Sequence, residues 1–212
     1  DHRRQRPHAG TRFRLGGKQG GLRVTFFEPL DDRGGLDQHS AFIDQRRHQG
    51  LSALFAEHDI ERVYIAFTRG APRPDKGTIE GAIARSSHDR KKMAMVKSGG
   101  RHAITHYKVV RTFGPQEKPL AARVSCQLET GRTHQIRVHL ASRGTPCLGD
   151  PVYGSGAPAA PVRAALEEAG LARQALHAAV LGFVHPVTGE PLRFESPLPP
   201  DMARLETLLG KL

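Results

Sequence analysis

Three stretches alternate apolar and polar side chains with a period of two, the pattern of a half-buried strand. Val63, Ile65 and Phe67 take one face of the first, which leaves Arg62, Tyr64 and Ala66 on the other. The second, Ala103 to Phe113, sets Thr105, Tyr107 and Val109 against Ile104, His106 and Lys108. In the third, Val124, Cys126 and Leu128 oppose Arg123, Ser125, Gln127 and Glu129, and the run stops at Gly131. Leu176 to Val184 is a continuous apolar run and predicts a buried strand, followed by a hairpin turn at Val187-Thr-Gly-Glu190 and a last strand, Leu192 to Glu195. Helical spacing appears at Leu51, Leu54 and Phe55, which predicts a helix over 49–58. A second helix is predicted after Gly131, with Thr133 as N-cap, Ile136, His139 and Leu140 on one face, and Gly144 at its end. Val162, Ala165, Leu166 and Ala169, behind Pro161, predict a third that ends at Gly170. Met202, Leu205, Leu208, Leu209 and Leu212 form a closing helical stripe. Strands in series with few helices imply an α+β domain around an antiparallel or mixed sheet.

The 212 residues suffice for one sizeable core and are short for two. Net charge is the informative part of the composition. At +11 it points to a polyanionic partner, because Lys and Arg gain affinity for phosphates by releasing condensed counterions. Arg85, Arg90, Lys91, Lys92, Lys97, Arg101, Lys108 and Arg111 are opposed by Asp89 alone, with a flexible Ser98-Gly-Gly100 turn among them. Such a run is ordinarily a solvated face; in a basic protein, a cationic loop between strands can also track a phosphate backbone. Arg132 and Arg137 stand beside a predicted helix N-terminus, whose N–H groups and dipole favour anions.

Cys126 and Cys147 form no Cys-x-x-Cys pair, which argues against a disulfide framework or zinc site and for a reducing compartment. His134 and His139 lie about 140° apart on a helix, and His102 and His106 about 13 Å apart on a strand, so neither pair is expected to hold a metal. No apolar run approaches a membrane span and no secretory leader is legible, so cytoplasmic residence is expected. Residues 1 to 48 are rich in Arg, Gly, Gln and His and lack sustained periodicity. Leu22, Val24 and Phe26 suggest one short strand there, and Asp31 to Gly35 has turn chemistry.

Gly131-Arg-Thr-His-Gln-Ile-Arg-Val-His139, followed by Gly149-Asp-Pro-Val-Tyr-Gly154, resembles the signature of the RluA-like family of RNA pseudouridine synthases. Ile60-Glu-Arg-Val-Tyr-Ile-Ala66, Arg101-His-Ala-Ile-Thr-His-Tyr107, Leu176-His-Ala178, Phe183-Val-His-Pro186 and Pro197-Leu-Pro199 fit in the same order, from about Gln49 to about Met202. The resemblance implies a single catalytic domain whose mixed, largely antiparallel central sheet is split by an RNA-binding cleft that holds a flipped uridine. It implies no cofactor and no metal. Tyr64 falls at the position of the active-site tyrosine, and Arg137 at that of the arginine that pairs with a catalytic aspartate. Leu176 falls where the family lines its pocket, and Arg132 and His134 join the substrate-binding set. Arg85, Arg90, Lys91, Lys92 and Arg101 would supply the RNA-binding charge.

The resemblance fails at the nucleophile. The family carries it in a His-Arg-Leu-Asp segment followed by Thr-Ser-Gly, somewhat over thirty residues before the tyrosine, and no such segment is present. Leu30-Asp31 has the Leu-Asp pair at about the right distance, which makes Asp31 the tentative nucleophile; Asp32 is equally well spaced, and Leu36-Asp37 lies nearer to Tyr64. Three readings compete: a diverged segment that keeps Asp31, loss of activity with RNA binding retained, and a shifted reading frame or misplaced start in a GC-rich gene. The third is favoured, because the likeness begins abruptly. Residues 1–48 are therefore expected to be divergent or mis-framed, and 49–212 a catalytic domain lacking part of its N-terminal side. The expected activity is uridine isomerisation in structured RNA, large-subunit ribosomal RNA first and transfer RNA second, by a monomer. The alternative is a catalytically impaired RNA-binding or RNA-folding protein.

Overall fold

The computed structural model describes residues 60–212, apart from 155 and 187, together with 15–16 and 23–24. The chain divides into two compact units, Asp1–Phe42 and Ile43–Leu212. In the first, β1 (Leu15–Gly16) pairs antiparallel with β2 (Arg23–Val24), Leu15 opposite Val24. Asp31, its neighbours Asp32 and Asp37, and the helix predicted over 49–58 lie outside the described residues.

In the second unit seven strands form one sheet in the order β5-β4-β6-β7-β3-β8-β9. They are β3 (Ile60–Arg69), β4 (Lys76–Arg85), β5 (Met93–Val96), β6 (Arg101–Phe113), β7 (Ala121–Leu128), β8 (Leu176–Val184) and β9 (Pro191–Glu195). Every pairing is antiparallel. The described strands thus form a wholly antiparallel sheet, with register shifts between Val63 and Tyr64 and between Val109 and Arg111.

Among the described residues three helices complete the α+β unit: α1 (Gln135–Ser142), α2 (Ala160–Ala169) and α3 (Pro200–Leu209). The alternation in β3 decides which face each one covers. Ile65 and Phe67 point into a core with Val162, Ala165, Met202, Leu205 and Leu209, so α2 and α3 pack on that side. Ala66 and Tyr64 point the other way, to a cluster with Val124, Cys126, Leu128, Ile136 and Leu140, so α1 packs on the opposite side. A strand buried on both faces needs apolar residues at successive positions, and Ile65, Ala66 and Phe67 provide them.

The predicted β6, β7, α2 and α3 are present, and α2 ends on Gly170 in the left-handed conformation. Strand β4 carries a weak period and two glycines. Gly77 lies opposite Tyr107, where an added Cβ would come within 3.2 Å of the phenol oxygen, so the ring occupies the space a side chain would take. Most of β8 is half-buried and not fully buried as its apolar run predicts, because its outer neighbour β9 is short and largely exposed. Leu212 is exposed and lies outside the buried stripe of α3. Among the described residues, no helix is long and apolar enough to cross a membrane, and no group of His, Cys, Asp or Glu is arranged to hold a metal ion.

Candidate active site

Tyr64 sits in the middle of β3, opposite Cys126 of β7 and Ala178 of β8. The β3–β8 ladder shifts register between Val63 and Tyr64, and an irregularity of this kind re-aims the side chains beside it. Half-buried, Tyr64 packs with Leu176 against the apolar cluster under α1. Its hydroxyl has no hydrogen-bond partner among the described residues. Burial pushes the phenol pKa above its ordinary value, and Arg62 nearby works in the opposite direction. Leu176 pairs with Ala66, whereas His177 is turned away, its Nε2 3.0 Å from the carbonyl oxygen of Ser196.

Helix α1 carries Arg137, which is buried and forked onto Asp150: Nε donates to Oδ2 at 2.8 Å and Nη2 to Oδ1 at 2.7 Å. Asp150 Oδ1 also accepts the backbone N–H groups of Val152 and Tyr153, at 2.9 and 3.0 Å. Burial alone would raise the Asp150 carboxyl; the Arg137 fork and the two N–H groups outweigh it and hold the pKa below the ordinary carboxylate value. The Arg137 guanidinium lies over the Tyr153 ring, 4.8 Å from its centroid. The Tyr153 hydroxyl accepts the Met93 N–H at 2.9 Å and lies 2.8 Å from His134 Nδ1, to which its proton is then available. His134, read as a substrate contact, thus serves to tie the start of α1 to Tyr153.

The loop that bears Asp150 is laid along β3. Leu148 N–H donates to the Phe67 carbonyl, Ala175 N–H to the Leu148 carbonyl, both at 2.8 Å, and Cys147 bridges to Thr68. The strand that holds Tyr64 therefore also fixes the carboxylate that holds Arg137. Asp150 is a partner of Arg137 that the sequence reading did not name, and the expected nucleophile, Asp31, lies outside the described residues. Asp150 has both oxygens engaged and a fully buried side chain, so it orients the guanidinium and does not reach a substrate.

Thr133 is not the N-cap of α1. His134 takes that position in the left-handed conformation, with φ of 57°, and offers no side-chain cap. The work falls to buried Gln135. Its Oε1 accepts from Thr130 Oγ1 at 2.7 Å and from the Arg132 N–H at 2.9 Å, while its Nε2 donates to the Ile104 carbonyl and to Thr105 Oγ1. All four amide valences are met, which pins the Gly131–Arg132 turn onto β6. Helix end and Gly144 agree with the sequence: Gly144 has φ of +75° and donates to the Ala141 carbonyl.

Arg132 reaches across to β6, its Nε donating to the His102 carbonyl at 2.9 Å, which places it beside Arg101. Arg101 acts on the Arg132 charge, and Arg132 in turn acts on that of Arg62. Tyr64, Leu176, Arg132 and Arg101 are thus gathered toward one face, with Arg137 on the helix that covers part of it. No hydrogen bond or ring contact joins Arg137 to Tyr64 directly. Arg85, Arg90, Lys91 and Lys92 lie in the β4–β5 hairpin, which meets α1 and Tyr153 through Met93; there Arg85 Nη1 donates to the Arg90 carbonyl and Asp89 lies 3.8 Å from Lys92. Three residues of this face escape a reading of the sequence: Asp150, Gln135 and Arg62. Asp150 and Gln135 lie inside the quoted motifs, and a cation on an apolar central strand is itself a signal.

A family model described as RNA pseudouridylate synthase matches residues 44–142. The ribosomal large subunit pseudouridine synthase D of Zymomonas mobilis is 46% identical over 163 residues, which are 76% of this chain and 49% of that protein. The chloroplastic RNA pseudouridine synthase 2 of Arabidopsis thaliana is 42% identical over 185 residues, 79% of this chain and 42% of that protein. The chain thus spans about half the length of the curated relatives it matches. Among solved structures, human RNA pseudouridylate synthase domain containing 4 superposes with a TM-score of 0.59 at 26% identity, covering 82% of this chain and 68% of that one.

Proposed function

Because the chain belongs to the RluA-like family of RNA pseudouridine synthases, we propose that it isomerises uridine to pseudouridine in structured RNA, with large-subunit ribosomal RNA as the substrate. The observation that carries this reading is the placement of Tyr64, with an unpartnered hydroxyl, on the face that α1 covers with its Asp150-anchored Arg137. The substrate assignment rests on the relatives named for the ribosomal large subunit.

The reaction breaks the bond from ribose C1′ to N1 of uracil and forms one from C1′ to C5. The proton leaves C5 and N1 gains one, so no electrons are exchanged with a cofactor. A base in folded RNA must first be extruded, at a cost of a few kcal/mol, and stacked on a flat surface. Tyr64 supplies that surface, Leu176 borders it, and the phenol oxygen is available to the proton that leaves C5. Arg137 keeps one amino group, Nη1, without a partner among the described residues, because Asp150 takes Nε and Nη2. In this reading the open edge orients a second carboxylate against C1′ and lowers its pKa.

The test is to incubate the chain with an unmodified large-subunit ribosomal RNA transcript and map pseudouridine by carbodiimide labelling. A labelled uridine that depends on Arg137 supports the activity. Binding with a steep salt dependence and no label would leave an RNA-binding protein without turnover.

A further inference from the structure

Arg62 is 6% exposed and has no carboxylate partner among the described residues. Its Nη2 donates to the Glu129 carbonyl at 2.8 Å, but its Nε is buried and donates to nothing. Its Nη1 occupies the space a side chain would take at Gly131, 2.7 Å from an added Cβ. Burial lowers the guanidinium pKa; the Tyr64 phenol works against this, and Arg132 adds to the lowering, as Arg101 does for Arg132. Three like charges therefore run from β3 across the Gly131 turn to β6, the innermost with an orphaned donor. Such an arrangement works against the fold and is relieved when an anion binds.

We propose that Arg62 and Arg132 form a notch for a phosphodiester group of the RNA, next to the nucleotide stacked on Tyr64. The proposal rests on the pseudouridine synthase reading of this face and adds to it where the strand is held. Arg62 and Tyr64 are two residues apart on β3, about 7 Å along a strand, a separation that matches a base and a nearby phosphate of one nucleotide chain. A planar guanidinium suits a phosphate because two parallel N–H groups meet two oxygens. Arg132 spends only its Nε on the protein among the described residues, which leaves its terminal amino groups available to an anion. Were Arg62 there only to hold the Glu129 carbonyl, a single donor would suffice.

The experiment compares the wild-type chain with Arg62→Met, Arg62→Lys and the distant surface variant Lys211→Met. Each is titrated with the unmodified large-subunit ribosomal RNA transcript over a series of KCl concentrations, and its thermal midpoint is measured. Arg62→Met is expected to keep or raise the thermal midpoint, to weaken binding about tenfold near 0.1 M salt, and to flatten the log–log salt slope by about one. Arg62→Lys restores the slope and only part of the affinity, and Lys211→Met changes neither. An Arg62→Met protein with wild-type affinity and slope overturns the notch, as does one whose slope stays normal while its thermal midpoint drops. Wild-type chain that fails to bind the transcript overturns it too. Absence of carbodiimide label in the wild type with a flattened slope in Arg62→Met removes the isomerase reading and leaves the notch standing. Label in the wild type with an unchanged slope removes the notch alone.

Discussion

Arg137 on α1 and Asp150 on the following loop are joined by two parallel hydrogen bonds of 2.8 and 2.7 Å, with the carboxylate side chain fully buried. A pair of this kind contributes little over an apolar replacement, yet removing one partner strands a charge and costs about 3–5 kcal/mol. Asp150→Asn is therefore expected to lower the unfolding free energy by about 3 kcal/mol and to abolish uridine isomerisation, since the guanidinium loses its anchor. Urea unfolding of Asp150→Asn, Arg137→Met and the double variant would yield a coupling energy well above 1 kcal/mol; simple additivity would mean the fork is not what holds the site. The Asp150 carboxyl titrates below its unfolded value, so its contribution is present above about pH 4 and is lost on further acidification.

Tyr64 separates binding from turnover. Its ring packs on the apolar cluster, whereas its hydroxyl bonds to nothing among the described residues, so Tyr64→Phe should alter stability by no more than about 0.5 kcal/mol. If the phenol handles the C5 proton, the same change lowers kcat by about 10²–10⁴ and leaves KM nearly unchanged. A Tyr64→Phe protein with full turnover would confine the residue to stacking.

Gly149 is held by its surroundings. Its φ is +66°, and a Cβ added there would lie 2.4 Å from the Arg173 carbonyl oxygen, a backbone atom that cannot swing aside. Gly149→Ala should destabilise the unit by at least about 2 kcal/mol, and because Asp150 is the next residue, isomerisation should fall further than stability. Circular dichroism melts and carbodiimide labelling on the same preparation would separate the two effects.

Much of this face is legible in the sequence because strands report their two sides. Alternation placed Arg62, Tyr64 and Ala66 together, and the periods around Cys126 and Ile136 identified the elements that pack on them. What alternation does not carry is side-chain pairing across a loop. Asp150 lies thirteen residues after Arg137 and joins it only because residues 147 to 150 run beside β3, a tertiary pairing with no periodic trace. Strand β4 was illegible for a related reason: Gly77 and Gly81 are set by the Tyr107 ring and the Met95 side chain above them, so its local propensity is low. The N-cap expectation failed because the chain enters α1 through His134 in the left-handed conformation, one residue later than predicted, while the Gln135 side chain accepts the Arg132 N–H of the turn before it.

His139 sets a separate acid limit. It is fully buried on α1, with Nδ1 2.9 Å from Thr105 Oγ1 and Nε2 without a partner. The Thr105 hydroxyl accepts a hydrogen bond from Gln135 Nε2 and shares another with His139 Nδ1. Protonating this ring would place an unpaired charge in the core, and burial pushes the imidazole down to about 4. A folded value below the unfolded one, near 6.5, means the native state favours the neutral ring. The stability this represents is complete above about pH 6.5 and is lost as pH falls toward 4, by about 3 kcal/mol in all. Half-buried His134, lowered by burial and by Arg137 against the opposing pull of Asp150, shares the window with a smaller exposure change. His139→Gln keeps an acceptor for Thr105 and removes the titration, so its unfolding free energy should decline less than the wild type's between pH 6.5 and 4, with both proteins falling together below that range as Asp150 protonates. Parallel declines across the whole range would show that His139 takes up its proton without disturbing the Thr105 contact.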